Sequence, residues 1–116
     1  MNRQITFHGD YFIDFYKELE PKVKFKVKYV LELIKQVTIV PEKFLAPITG
    51  YDSLYEVRID YQSNIYRVFC CFDEGKLVLF NGFKKKTQKT PTIEIERALR
   101  LKKEYFDLKI QKDGRI

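Results

Sequence analysis

The chain has 116 residues, a net charge of +6, and a composition that is 45% hydrophobic and 16% aromatic. That is one domain's worth of sequence with too many apolar residues for a disordered protein. Two adjacent cysteines and a single histidine argue against a disulfide framework and against a zinc site.

In chain order, RQITFH (3–8) alternates and predicts a short strand. Gly9-Asp10 breaks it, with Asp10 as the expected N-cap of a helix over YFIDFYKEL. Pro21 opens a second helix in which Val23, Val27, Val30, Leu31, Ile34 and Val37 follow helical spacing. Lys22, Lys24, Lys26 and Lys28 alternate there as a strand would, but the run is too long for one. Pro41 and Pro47 bracket an expected loop. Three strands follow, LYEVRID (54–60), NIYRVFCCF (64–72) and KLVLFNGFK (76–84), with Asp73-Glu74-Gly75 as a tight turn between the last two. Thr90-Pro91 opens a third helix through IEIERALRLKKEYF, and the polar tail, residues 109–116, is expected to fray from a domain spanning 1–108. The elements make an α+β fold. The N-terminus lacks a signal pattern and no segment has the length of a membrane span, so the expected setting is cytoplasmic and reducing.

Charge is unevenly spread: residues 1–50 carry 8 basic and 6 acidic groups, and the remainder 14 and 10. The excess peaks at Lys84, Lys85, Lys86 and Lys89, which favours an anionic partner: nucleic acid, membrane surface or acidic protein. If Asp73 sits opposite Lys76, Arg67 faces Gly82; if Tyr61 sits opposite Asn64, Arg58 faces Arg67. One sheet face then collects Tyr55, Val57, Ile59, Tyr66, Val68, Cys70, Phe72, Leu77, Leu79 and Phe83, with Asn81 as its polar member. The other carries Glu56, Arg58, Asp60, Arg67, Phe69, Phe80, Gly82 and Lys84, and Lys84 stands diagonally from Arg67 at ~7–8 Å. Two opposed arginines repel, and an anion between them would relieve the pair. Glu56 and Asp60 are the alternative partners, at little net energy. Phe69 and Phe80 on this face are candidates for stacking on bases. His8 reads as a turn or surface residue, and Cys70 and Cys71 as packing residues on opposite faces.

LYEVRID, IYRVFCCFD and LVLFNGFKKKTQKTP, followed by IEIERAL, resemble the RelE superfamily of toxin–antitoxin toxins, and most of all its phage-derived HigB-like branch. The resemblance covers nearly the whole chain. It implies an N-terminal helical hairpin on a small twisted antiparallel sheet with a C-terminal helix. It also implies a ribosome-dependent endoribonuclease that cuts messenger RNA through the neighbouring 2′-hydroxyl, with no metal or other cofactor. The expected partners are the ribosome, its message and a helix-turn-helix (HigA-like) antitoxin, with no membrane.

Carried over by position, Arg58 matches the family's basic residue on the strand before the YR strand, Arg67 the arginine of that YR, and Lys84 and Lys85 its basic residue after the last long strand. Arg67 is then the main phosphate clamp, Arg58 its support, and Lys84 or Lys85 a proton carrier. Lys86, Lys89 and Glu56 are placed along the RNA, with Glu56 also a candidate base. The tyrosine or histidine that several members carry near this point has no counterpart, since Thr87, Gln88 and Pro91 stand there, and Glu56 replaces a lysine of some relatives. Two alternatives stay open: a gyrase-poisoning ParE-like toxin, which the cationic set disfavours, and an inactive RNA- or protein-binding module.

Overall fold

A computed structural model describes residues 2–86 and 89–113. The elements are β1 (Ile5–Phe7), α1 (Tyr11–Lys17), α2 (Pro21–Gln36), β2 (Leu45–Pro47), β3 (Tyr55–Tyr61), β4 (Asn64–Asp73), β5 (Lys76–Lys85) and α3 (Thr92–Asp113). The strands form one sheet in the order β1-β5-β4-β3-β2, antiparallel except where β1 runs parallel to β5.

Local chemistry explains most of these elements. Pro21 occupies the first turn of α2, where its missing N–H costs nothing, and Val23, Val27, Val30 and Ile34 are fully buried along one stripe. Glu74 and Gly75 both adopt positive φ, as a two-residue hairpin turn matched to strand twist requires. Asp10 does stand at the N-cap of α1, but its side chain makes no capping hydrogen bond. The stretch between Pro41 and Pro47, expected as loop, contains β2: Leu45 and Ala46 are buried and pair with Val57 and Glu56. Three residues ending in a proline are too short to alternate visibly, and only pairing to β3 reveals them.

Both faces of the sheet are covered. On one side α1 and α2 bury Val57, Ile59, Tyr66, Val68, Cys70, Leu77 and Leu79. On the other α3 buries Leu54, Phe69, Cys71, Val78, Phe80 and Phe83 through Ile95, Ala98 and Leu101. Phe69 and Phe80 are 0% exposed, so neither is available to stack on a base. The alternation of the strands was legible; the second covering layer was not. The two thiols lie on opposite faces, free and buried, and burial pushes Cys70 well above its ordinary range and Cys71 to about 11.

α3 is longer than its apolar pattern suggested and passes through much of the segment expected to fray; residues 114–116 lie outside the described residues. Asp73 holds it: its carboxylate accepts hydrogen bonds from the Lys109 ammonium, 2.9 Å from both oxygens, and from the Tyr105 hydroxyl at 2.7 Å. These two donors keep the Asp73 carboxyl below its usual range, while burial and the same carboxylate push the Tyr105 hydroxyl up to about 12. His8 joins this anchor rather than lying free at the surface. Its Nε2 is 2.6 Å from Glu104 Oε1, and its ring packs edge-on against Phe80 and Tyr105.

Candidate active site

The site is set by register. β3 and β4 pair as the sequence implies, with Tyr61 opposite Asn64 and Arg58 opposite Arg67. β4 and β5 also begin as expected, Asp73 opposite Lys76 through Cys70 opposite Leu79. A bulge then shifts the pairing between Val68 and Cys70, so Arg67 faces Phe83, not Gly82. Phe80 and Asn81 both turn toward α3: Phe80 joins its core, and Asn81 Nδ2 donates to the Glu94 carbonyl and carboxylate. Beyond that point every side chain on β5 changes sides relative to the sequence reading.

Gly82 and Lys84 therefore face α1. The Phe15 ring lies directly on Gly82, where a Cβ would stand 2.5 Å from Phe15 Cδ2. Lys84 pairs with Tyr66 and shares a groove with Tyr11, Phe15 and Glu18. Phe83 and Lys85 take the other face, that of the arginines. The lysine diagonal to Arg67 is thus Lys85, and Lys84 is carried to the opposite side of the sheet. Lys86 follows β5 in an exposed position and Lys89 sits on an exposed bend. Thr87 and Gln88, expected from the resemblance to stand in place of a tyrosine or histidine, lie outside the described residues.

The anion that relieves the arginine pair in the folded chain is its own. Glu56, 5% exposed, projects from the same face of β3 as Arg58. Its Oε2 accepts from Arg58 Nε at 2.9 Å and lies 3.8 Å from Arg67 Nε. Arg67, 8% exposed, also donates from Nη1 to Asp60 Oδ1 and to its neighbour's carbonyl on Tyr66, both at 3.0 Å. Arg58 reaches the Glu42 carbonyl at 3.3 Å. Two guanidinium groups thus share two carboxylates, and among the described residues Glu56 Oε1 and Arg67 Nε, both buried, meet no hydrogen-bond partner.

The two carboxylates differ in kind. Glu56 is buried behind the arginines and holds them. The Asp60 side chain is 65% exposed at the rim, in a pair of the sort that contributes little to stability and exchanges readily. A phosphate oxygen could take the place of Asp60 on Arg67 without disturbing Glu56. Among the described residues no group of three or more His, Cys, Asp or Glu side chains is arranged to hold a metal ion, and no helix is long and apolar enough to cross a membrane.

Comparison with known proteins finds likenesses in sequence and in fold. A family model described as "Phage derived protein Gp49-like (DUF891)" matches residues 14–103. Among solved structures, a double arginine-to-alanine mutant of the E. coli toxin RelE in the free state superposes with a TM-score of 0.59 at 16% identity, covering 86% of this chain and 97% of that one. The archaeal RelE–RelB complex from Pyrococcus horikoshii OT3 gives a TM-score of 0.54 at 14% identity, covering 78% and 100%. Curated protein sequences gave no significant match.

Proposed function

The chain belongs to the phage-derived Gp49-like family and has the fold of the RelE toxins, and from that premise we propose that it is the toxin of a toxin–antitoxin pair, an endoribonuclease that cuts messenger RNA on the ribosome in the cytoplasm. The observation that carries the reading is the directly opposed Arg58–Arg67 pair, with Lys85 diagonal to it and an exchangeable carboxylate at the rim.

The reaction needs no group beyond side chains, solvent water and the RNA itself. The 2′-hydroxyl gives its proton to solvent water as its oxygen attacks the adjacent phosphorus, and the bond from phosphorus to the 5′-oxygen breaks. The products are a 2′,3′-cyclic phosphate and a 5′-hydroxyl. Arg67 takes the non-bridging oxygens as charge grows on them, its planar fork matching their geometry, and Arg58 supports it from the next strand. Glu56 fixes both guanidinium groups before substrate arrives, so little reorganisation is left for the transition state. In this reading Lys85, diagonal to Arg67, delivers a proton to the leaving 5′-oxygen. Lys84 is on the wrong face for that step and, with Lys86 and Lys89, serves to guide flanking RNA through screened attraction. A helix-turn-helix antitoxin of the HigA kind is the proposed neutralising partner; the archaeal RelE match, itself a complex with RelB, supports an antitoxin of some kind.

The test is induced expression with mapping of message ends. The wild-type chain arrests growth and produces new 5′ ends within translated messages. Arg67→Ala, made at the same level, gives neither. Unaltered cleavage by that variant overturns the assignment. One observation favours a second reading, an inactive binding module: Arg67 is already occupied and nearly buried. Wild-type expression that leaves growth and messages intact selects it.

A further inference from the structure

Where the helical layer meets the outermost strand, the packing leaves a gap. Gly9, at φ +63°, turns the chain sharply from β1 into α1, and α1 is only 7 residues long. Among the described residues β1 is the last strand on that side, so nothing in the sheet lies beyond Ile5 and Phe7. Ile5, Phe7, Phe12, Leu31 and Leu79 line a cavity there of about 300 Å3. The Phe7 ring reaches Phe12, at 6.2 Å between centroids, yet Phe7 stays 45% exposed because the cavity is unfilled by side chains. The polar lining comes from α2 alone: Lys28, Glu32 and Lys35. Lys28 and Lys35 stand two turns apart on one side of that helix, ~10 Å along its axis. Lys35 is paired with Glu32 at 3.7 Å. Lys28, exposed and with no carboxylate in ion-pair reach among the described residues, is the cation left without a counter-charge.

We propose that this cavity binds a small amphipathic anion, a carboxylate on a saturated chain of the fatty-acid kind. The carboxylate sits on the Lys28 ammonium, and the chain lies along β1 from Phe7 toward Ile5, between that strand and Leu31. An apolar cleft with a few placed polar groups is the usual form of a small-molecule site, and this one falls at the small end of the range. The lining decides the class of ligand. Apart from the three charged groups of α2, every lining side chain is hydrocarbon. A nucleotide would turn the polar edge of its base onto Leu31, Leu79 and Ile5, with nothing there to hydrogen-bond it. Inorganic phosphate would gain one lysine and leave the apolar walls wet. An alkyl chain fills those walls, and each methylene fully buried strengthens binding roughly fourfold. The cavity opens on the side of the sheet covered by α1 and α2, away from the arginine pair, so the proposal goes beyond the nuclease reading and does not rest on it.

The experiment follows the methyl groups of the full chain by NMR as sodium decanoate is added below its micelle concentration. Shifts are expected in the methyls of Ile5, Leu31 and Leu79, and not in Leu54 and Leu101 of the α3 core. Hexanoate and decanol each bind several-fold more weakly than decanoate, the first for its lost chain and the second for its lost charge. Lys28→Glu, made at an exposed position, removes one attraction and adds one repulsion. Decanoate binding then falls roughly tenfold, and decylammonium becomes the tighter ligand. Shifts that are absent or spread over the molecule, equal binding of decanoate and decanol, or decanoate binding indifferent to Lys28→Glu overturns the proposal. So do shifts of the same methyls on dilution with no ligand present, which would assign the cavity to a second copy of the chain. Message cleavage is measured separately, and its absence bears only on the nuclease reading.

Discussion

Glu56→Gln isolates what holds the arginine pair together. The substitution keeps the side chain's shape and one acceptor oxygen but removes the charge that Arg58 Nε touches at 2.9 Å and Arg67 Nε approaches at 3.8 Å. Removing one member of a buried ion pair typically costs ~3–5 kcal/mol. Two features reduce that here: the Arg58 side chain is 33% exposed, and Arg67 keeps its bond to Asp60. The expected loss is about 2 kcal/mol, a fall in melting midpoint of roughly 8 °C for a domain of this size. The companion measurement is sharper. With its internal anion gone, the arginine pair should take one from solution, and an anion present at about a hundredfold its dissociation constant returns ~2.7 kcal/mol. Thermal or urea unfolding at neutral pH, with inorganic phosphate exchanged for chloride at constant ionic strength, reads both effects. Phosphate should stabilise Glu56→Gln clearly more than wild type. Equal stability of the two proteins, or an equal response to phosphate, refutes the idea that Glu56 occupies an anion site.

Two further outcomes follow from register and charge. Lys85→Ala should slow cleavage by roughly 10²-fold or more, the scale of a lost proton donor, whereas Lys84→Ala should change the rate little and lessen its salt dependence; single-turnover cleavage of a ribosome-bound message across a salt series separates them, and equal losses would undo the bulge-based assignment. Asp73→Asn should release the C-terminal half of α3 and lower the melting midpoint by several degrees at neutral pH. The Asp73 carboxyl is held low in the folded chain by Lys109 and Tyr105, so its contribution is full above the ordinary carboxylate pKa of about 4 and is lost as pH falls through the lower folded value. Tyr105 and Lys109 are both raised, so their share is present below about pH 10 and is lost as pH rises beyond it. Melting curves from acid to alkali should show the wild-type and Asp73→Asn proteins converging at both ends.

Alternation and turn chemistry carried most of the fold. The β3–β4 register was legible because Tyr61 and Asn64 close a short turn, and the first half of β4–β5 because Asp73-Glu74-Gly75 fixes its partner residues. Periodicity failed at Phe80-Asn81. Both residues face α3, and no composition signal distinguishes a bulge from plain alternation. That single extra residue moved Lys84 off the arginine face and put Lys85 on it. Glu56 was visible as a neighbour of Arg58, but its burial was not, since the residue paired with it on the outer side is Ala46 of β2, a strand with no visible period. β2 escaped notice because three residues carry no period. The anchor of Asp73, Tyr105 and Lys109 joins residues more than thirty positions apart and appears only once α3 crosses the sheet.

The central claim is that Arg58 and Arg67 serve an attack by the RNA's own 2′-oxygen. Its most direct measurement uses the purified chain on a ribosome-bound message bearing one 2′-deoxy nucleotide at the mapped cleavage position. The account predicts that the all-ribose message is cut, leaving a 2′,3′-cyclic phosphate, and that the single deoxy substitution stops cutting at that bond. Equal cutting of both messages, or cutting that leaves a 5′-phosphate, would contradict it.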